Sequence, residues 1–311
     1  MRFRPFAASG TVVSAVSLAL TDAGGRRRPA DWTALVYRAL ENGVNCFEVQ
    51  GVDPAIAEGL AEALRAVDRR LVFIAWRLGR KLGPNGGPVR DFSAEALALA
   101  AQSALARTGL DYLDLVMLDD PRGDELSTSA MATLKALRAS GGTRMLGVAG
   151  EGEAMDFYIS SRHFDVLAIP YNLISGWRDR HRLKAAVERD MPVIGYGYYP
   201  RAFHQQQQQQ AAQPASRSGF WGGRARVDPL AGAGTYAFLD RTEGWTAERI
   251  CLAYALTEPA IATVQIVADQ LDAIDALAMT ADRDLPPGVA AQIEMARFGG
   301  KAEDQDPRRR A

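Results

Sequence analysis

The chain is poor in the residues that build disulfide frameworks and metal sites. It has two cysteines, Cys46 and Cys251, and three histidines, His163, His181 and His204. The cysteines are too few for a disulfide framework and have no metal-ligand spacing. The histidines lie far apart and form no zinc signature, so no metal is expected. Charge of one sign is missing as well. The 36 basic and 37 acidic residues leave a formal net charge of −1. That removes the electrostatic case for nucleic acid or an anionic membrane as a partner. No run of about 18 apolar residues occurs, so no membrane span is expected. The Gly-x-Gly-x-x-Gly fingerprint of an open dinucleotide-binding sheet is absent too. A reducing cytoplasm is the default expectation for such cysteine usage.

The N-terminus faintly mimics a signal peptide, with Arg2 and Arg4 ahead of a mildly apolar stretch up to Leu20. Ser9-Gly10-Thr11 interrupts that stretch with turn chemistry, and Ser14 and Ser17 dilute it. A strand–turn–strand hairpin also accounts for the β-branched Thr11-Val12-Val13, and it is the preferred reading.

What is present is the material of a large soluble core: 311 residues, 48% hydrophobic and 23% charged. Leu113 to Leu118 is a short apolar run, with Pro121 closing the segment. It reads as a strand buried on both faces, as in a parallel sheet. Asp119 emerges at its C-terminal end, where parallel α/β folds gather their chemistry.

The rest of the chain alternates strands with helices. Strands are expected at Arg2–Ala8, Val12–Leu20, Val44–Glu48, Leu71–Ala75, Arg144–Val148, Phe164–Ile169, Pro192–Tyr196 and Ala260–Val267. Helices are expected at Pro29–Asn42 (capped by Asp31), Pro54–Val67, Ser93–Thr108 (capped by Ser93), Ser127–Ser140, Glu153–Ser161, Asp179–Arg189, Trp245–Leu256 and Asp269–Met279. After the opening hairpin strand, eight strands remain in one array, which fits a (β/α)8 TIM barrel. A single barrel is expected over residues 1–298. Residues 198–244, with Gln205–Gln210 and little apolar periodicity, read as a mobile insertion on which Phe220-Trp221 could still dock. Residues 299–311 read as a disordered polar tail.

Several stretches resemble the aldo/keto reductases. Ala39-Leu40-Glu41-Asn42-Gly43-Val44-Asn45 matches that family's helix–Gly–strand junction. Leu134 to Val148 looks like its helix, turn and Gly-Val strand. Phe164 to Leu173 looks like the strand ending in Tyr-Asn, and Met191 to Tyr196 the strand ending in the Tyr that stacks on nicotinamide. Leu110 to Pro121 resembles the fourth barrel strand, which ends in a catalytic His. The likeness covers residues 8 to 280.

The resemblance implies carbonyl reduction by a tetrad of Tyr, Lys, Asp and His at strand ends. Carried over by position, the Asp is Glu48, the Tyr is Asp53, the Lys is Arg77 and the His is Asp119. All four depart from the standard tetrad. A carboxylate at Asp53 donates a proton near neutral pH only with a pKa raised by several units. Arg77 stays charged and cannot tune proton transfer as Lys does. Asp119 opposes an oxygen that is gaining negative charge. Glu48 and Arg77 keep a charge pair of the original sense.

Cofactor signals are mixed. Tyr196 is retained, and with Asn172, Gly197, Val267 and Gln270 it makes up the cofactor-binding candidates. The carboxamide positions read Ala149-Gly150 and Ala168, which are apolar. No Lys or Arg stands between Val264 and Leu271, and Asp269 would repel a 2′-phosphate, so NAD(H) is expected over NADP(H). Three functions stay open. One is a degenerate reductase homologue that binds NAD(H) and acts through regulatory protein partners, in bacterial cell division or cell-fate signalling. The second is an active NAD(P)H-dependent oxidoreductase with altered acid/base residues among Glu48, Asp53 and Asp119. The third is a scaffold without cofactor.

Overall fold

Eight strands close on themselves. In the computed structural model, which describes residues 1–6, 10–22, 25, 27–200, 203 and 233–303, an antiparallel hairpin of β1 (Phe3–Phe6) and β2 (Thr11–Ser14) comes first. The chain then runs through β3 (Val16–Leu20), β4 (Cys46–Val49) and β5 (Phe73–Leu78). A second hairpin, β6 (Arg80–Leu82) and β7 (Pro88–Arg90), follows. The barrel resumes with β8 (Leu113–Asp119), β9 (Thr143–Ala149), β10 (Val166–Pro170), β11 (Val193–Tyr196) and β12 (Ile261–Ile266). Parallel pairing of β12 with β3, Gln265 opposite Ser17, completes the eight-stranded closed barrel.

The helices are α1 (Pro29–Glu41), α2 (Pro54–Leu64), α3 (Ala94–Thr108), α4 (Thr128–Ala139), α5 (Ala154–Ser161) and α6 (Trp177–Val187), then α7 (Ala247–Leu256), α8 (Leu271–Thr280) and α9 (Val289–Glu303). The (β/α)8 expectation therefore holds. Among the described residues no helix is long and apolar enough to cross a membrane.

Alternation across each strand divides the core in two. Outward residues such as Leu18, Phe47, Ile74, Val116, Leu146 and Leu167 join the large layer under the helices. Inward residues form a second cluster with many small members, among them Ala75, Ala149, Ala168 and Ala262. The N-terminal hairpin plugs one end of this interior. Phe6 and Val13 are fully buried there, and the Phe6 and Phe73 rings lie 4.7 Å apart.

The structure corrects several expectations. The single strand Val12–Leu20 is two, split at Ala15. Its N–H still pairs with Arg2 in the hairpin, while its carbonyl accepts from Val264 in the barrel. The strand expected from Arg2 begins at Phe3, and its expected end at Ala8 lies, with the turn residue Ser9, outside the described residues. Asp31 is not the cap of α1. Arg28 holds that position, and Asp31 accepts its backbone N–H from the first turn at 3.0 Å. The strand expected to stop at Ala75 runs to Leu78, because the charge of Arg77 is neutralised in space.

The β6–β7 hairpin and α9 were not foreseen. Helix α9 extends to Glu303, so the tail expected from 299 is helical over 299–303. Within 198–244, Tyr198, Tyr199, Phe203 and Leu239 are buried, and Ala233–Asp240 forms a 3-10 helix. The Gln run, Phe220-Trp221, His204 and residues 304–311 lie outside the described residues.

At the closed end a buried carboxylate ties three strands together. Asp114, its side chain 4% exposed, accepts from Arg69 at 2.6 Å, from the Ile74 backbone at 2.8 Å and from Arg144 at 3.3 Å. The Tyr112 ring takes both guanidinium groups, at 4.2 Å and 3.9 Å. Asp114→Ala leaves a buried cation short of its partner and an N–H unsatisfied. It should cost about 3 kcal/mol of unfolding free energy, read as a lower urea midpoint with an unchanged slope.

Candidate active site

The same alternation that sorts the core sets the barrel mouth. On β4, Cys46 and Glu48 face inward; on β5, Phe73, Ala75 and Arg77; on β8, Leu115, Met117 and Asp119. Tyr196 on β11 and Gln265 on β12 complete the layer. Glu48, Arg77 and Asp119, far apart in sequence, are thereby brought into one ion-pair chain.

Arg77 Nε donates to Glu48 Oε1, and Arg77 Nη1 donates to Asp119 Oδ1 at 3.0 Å. Arg80 Nε pairs with the other oxygen of Asp119. Glu48 is further held by Gln265 Nε2 on Oε2 and by Gln50 Nε2 at 3.0 Å on Oε1. The side chains of Glu48, Arg77 and Asp119 are 1%, 10% and 14% exposed, so this chain sits largely away from water. Burial opposes the charge on Arg77. Glu48 and Asp119 together outweigh it and hold the guanidinium pKa above its usual value.

Two cations and two carboxylates sum to zero. The group is at rest electrostatically, and each carboxylate oxygen has a donor. Nothing in it resembles a phenol made acidic by a neighbouring ammonium. The one phenol in the layer, Tyr196, is shifted the wrong way. Burial pushes its pKa up, against the pull of Arg77. It is a weaker acid than a free tyrosine.

Asp53 does not join the chain. It is the N-cap of α2, with Oδ1 accepting from Ala55 N at 2.9 Å. Pro54 and an N-terminal carboxylate make a strong local helix start, which explains an acid there without any catalytic role.

The cofactor candidates fall into two groups. Tyr196, Gly197 and Asn172 share one rim. Asn172 Nδ2 donates to the Gly197 carbonyl at 3.0 Å, and Asn172 Oδ1 accepts from Ile174 N at 3.0 Å. The Asn172 amide thus ties β10 to β11 and leaves the Tyr196 ring as the presented group. Gly197 has φ +63, a left-handed turn that suits glycine. Val267, 55% exposed, and Gln270, at the N-cap of α8 with no side-chain cap bond, lie past the end of β12.

A nicotinamide ring needs a flat platform and polar partners for its carboxamide. Tyr196 is such a platform, with the Arg77 guanidinium 5.3 Å from its centroid. Ala149 and Ala168 are buried and apolar, and a Cβ on Gly150 would meet Asp120 Oδ1 at 2.3 Å. Beside the platform a buried donor is spare: Arg77 Nη2 has no hydrogen-bond partner among the described residues. The residues therefore fit a dinucleotide at the platform, with Arg77 left to meet its amide.

Residue patterns missed four groups. Gln265, a polar residue inside an apolar strand, was detectable from that break alone. Gln50 and Arg80 follow the strand ends, and no pattern marks their partners. Arg27 donates to the Asp269 carbonyl at 2.9 Å. It brings a cation to a segment that has none in sequence. Among the described residues no cluster could hold a metal ion.

The aldo/keto reductase family model matches residues 17–297. The chain belongs to the aldo/keto reductase family. Among solved structures, the holo form of the aldo-keto reductase AKR11C1 from Bacillus halodurans superposes with a TM-score of 0.76 at 17% identity. That match covers 95% of this chain and 96% of that one. The apo form of the same protein gives a TM-score of 0.70 at 16% identity, with the same coverage. At such identity the likeness speaks for the shared fold. No curated protein matches the sequence.

If the mouth is a structural ion-pair chain, stability should report it. Glu48→Ala should cost about 3 kcal/mol, because it leaves Arg77 buried with one carboxylate fewer. The double variant Glu48→Gln/Arg77→Met should recover most of that loss. Asp53→Ala should cost only about 1 kcal/mol, with Asp53→Ser close to wild type. Denaturant titrations of the four proteins check this.

Proposed function

We propose that this aldo/keto reductase homologue binds NAD(H) without reducing carbonyl substrates, and that it acts as a regulator through protein partners. The observation that carries this reading is the neutral Glu48–Arg77–Asp119–Arg80 chain at the barrel mouth. It occupies the strand ends at which the family resemblance puts the reductase tetrad. NADH supplies a hydride when bound, but carbonyl reduction also needs a proton. Asp53 is engaged in a helix cap, and Tyr196 is held above the usual phenol range. Asp119, both oxygens engaged by Arg77 and Arg80, presents acceptors where an oxyanion would need donors. In this respect the chain resembles the degenerate family member KidO, a bacterial division and cell-fate regulator. Cell division or cell-fate signalling is accordingly the proposed setting, in the cytoplasm.

Tyr196, Asn172 and Gly197 support binding of the nicotinamide end, and Val267 and Gln270 are the proposed contacts toward the adenosine end. NAD(H) is the proposed form because Asp269 disfavours a 2′-phosphate and Arg27 is engaged with the Asp269 carbonyl and the Trp32 ring.

Fluorescence titration should show tighter binding of NADH than of NADPH, and Tyr196→Ala should weaken NADH by about 1–3 kcal/mol. Equal or tighter NADPH binding that is lost in Arg27→Ala would reverse the assignment and make Arg27 the phosphate ligand.

A screen of aldehydes, ketones and quinones with both nucleotides should show no turnover above background. Absence of a general acid alone removes about 10²–10⁴-fold in rate. Single restorations such as Asp119→His or Arg77→Lys should stay inactive, because the four groups act as a unit. Robust wild-type turnover, abolished by Glu48→Gln or Asp119→Ala, would instead establish an oxidoreductase with altered acid/base chemistry.

A further inference from the structure

On the flank of the barrel, α2, α3 and the β6–β7 hairpin enclose a cavity of about 460 Å³. Small-molecule sites typically fall between about 300 and 1,000 Å³. The walls mix charged side chains with an apolar part. Trp76 from the outer side of β5, Ala57 from α2 and Ala100 from α3 contribute to them. So do Leu82 and Leu99, which are 49% and 65% exposed and would otherwise meet water.

The charged groups on the lining are not equally available. Asp53 accepts from Ala55 N, and Asp91 accepts from Ser93 N at 3.0 Å and from Lys81. Glu95 lies in the first turn of α3, where the helix dipole favours its charge. Arg80 is compensated by Asp119. Arg77 is paired with Glu48 and Asp119, and of the lining cations Arg107 is held most loosely. It is 47% exposed, its nearest carboxylate is Glu58 at 3.9 Å, and Nε donates to Ser103 Oγ at 3.2 Å. A guanidinium fork in this state still has donors for a bidentate carboxylate.

We propose that this flank cavity is a second ligand site, one that binds a small amphipathic carboxylate. The apolar body lies against Trp76 and Leu99, and the anionic head is held by Arg107. The cavity reaches the barrel mouth at Arg77 and Arg80, but Tyr196 is not among its lining residues, and Arg107 lies on the helix flank.

The probe is 2-naphthoate, with 2-naphthol as its uncharged counterpart, measured by calorimetry and saturation-transfer NMR on the full chain. Naphthoate should bind at sub-millimolar concentration, and naphthol about tenfold more weakly. Arg107→Gln, a change at an exposed position, should bring naphthoate down to the naphthol level. Ser103→Phe, which fills the cavity, should abolish both, with circular dichroism confirming an unchanged fold. Tyr196→Ala should leave naphthoate binding intact. Equal affinity for the two probes, insensitivity to Arg107→Gln, loss in Tyr196→Ala but not in Ser103→Phe, or no binding at millimolar probe would each overturn the proposal.

Discussion

A buried guanidinium must be neutralised where it stands. Arg77 sits inside the barrel with a side chain only 10% exposed, and leaving such a charge unpaired would cost several kcal/mol. Glu48 from the neighbouring strand and Asp119 from the strand on the other side supply the compensation. Each carboxylate then needs its own remaining oxygen satisfied, which Gln265 and Arg80 do. One buried charge thus fixes the ends of four barrel strands and the root of the β6–β7 hairpin. The hairpin is clamped from its other strand as well, by Arg90 on the Asp120 carbonyl at 2.6 Å and on Glu125.

This constraint shapes what the mouth can do. A site that is neutral in sum, with every carboxylate oxygen hydrogen-bonded, resists moving a proton, because any transfer leaves a buried charge without its partner. The small inward residues Ala75, Ala149 and Ala168 are buried in the same inner cluster. On the proposed reading, a mouth whose ionisable groups are locked in this way suits recognition better than turnover. The left-handed Asp120, φ +53, fits the same picture. Its carboxylate lies over Gly150, where a side chain would clash, so the rim at β9 is closed by backbone geometry.

Much of the fold was legible. The apolar run Leu113–Leu118, the Gly that follows α1, the cap Ser93 and the helix start at Ser127 all mark elements that form close to their expected limits. These signals are local, and local signals survive in sequence. The failures share one cause. The strand through Arg77 looked finished at Ala75 because a charge ordinarily ends a buried strand, and its partners lie 29 and 42 residues away. Asp31 looked like a cap, but a carboxylate three residues inside α1 satisfies the same backbone N–H from within. Asp53 occupied the expected donor position by spacing, yet its side chain was claimed by the helix it starts. The absence of basic residues around Asp269 held along the chain and failed in space, where Arg27 arrives from the loop before α1.

The sequence by itself determined the alternation of buried strands and amphipathic helices, and with it the closed barrel, the family, and which residues stand at the strand ends. Periodicity and turn chemistry act over a few residues, so they can be read without knowing what lies opposite. Only the tertiary structure decided which strand-end residues meet. It joined Glu48, Arg77 and Asp119, set Asp53 aside as a cap, tied Asn172 to Gly197, and opened a cavity beside Arg107. The ion-pair chain depends on closing the barrel at one register, because a shift of a single residue along a strand would turn Glu48, Arg77 or Asp119 to the opposite face.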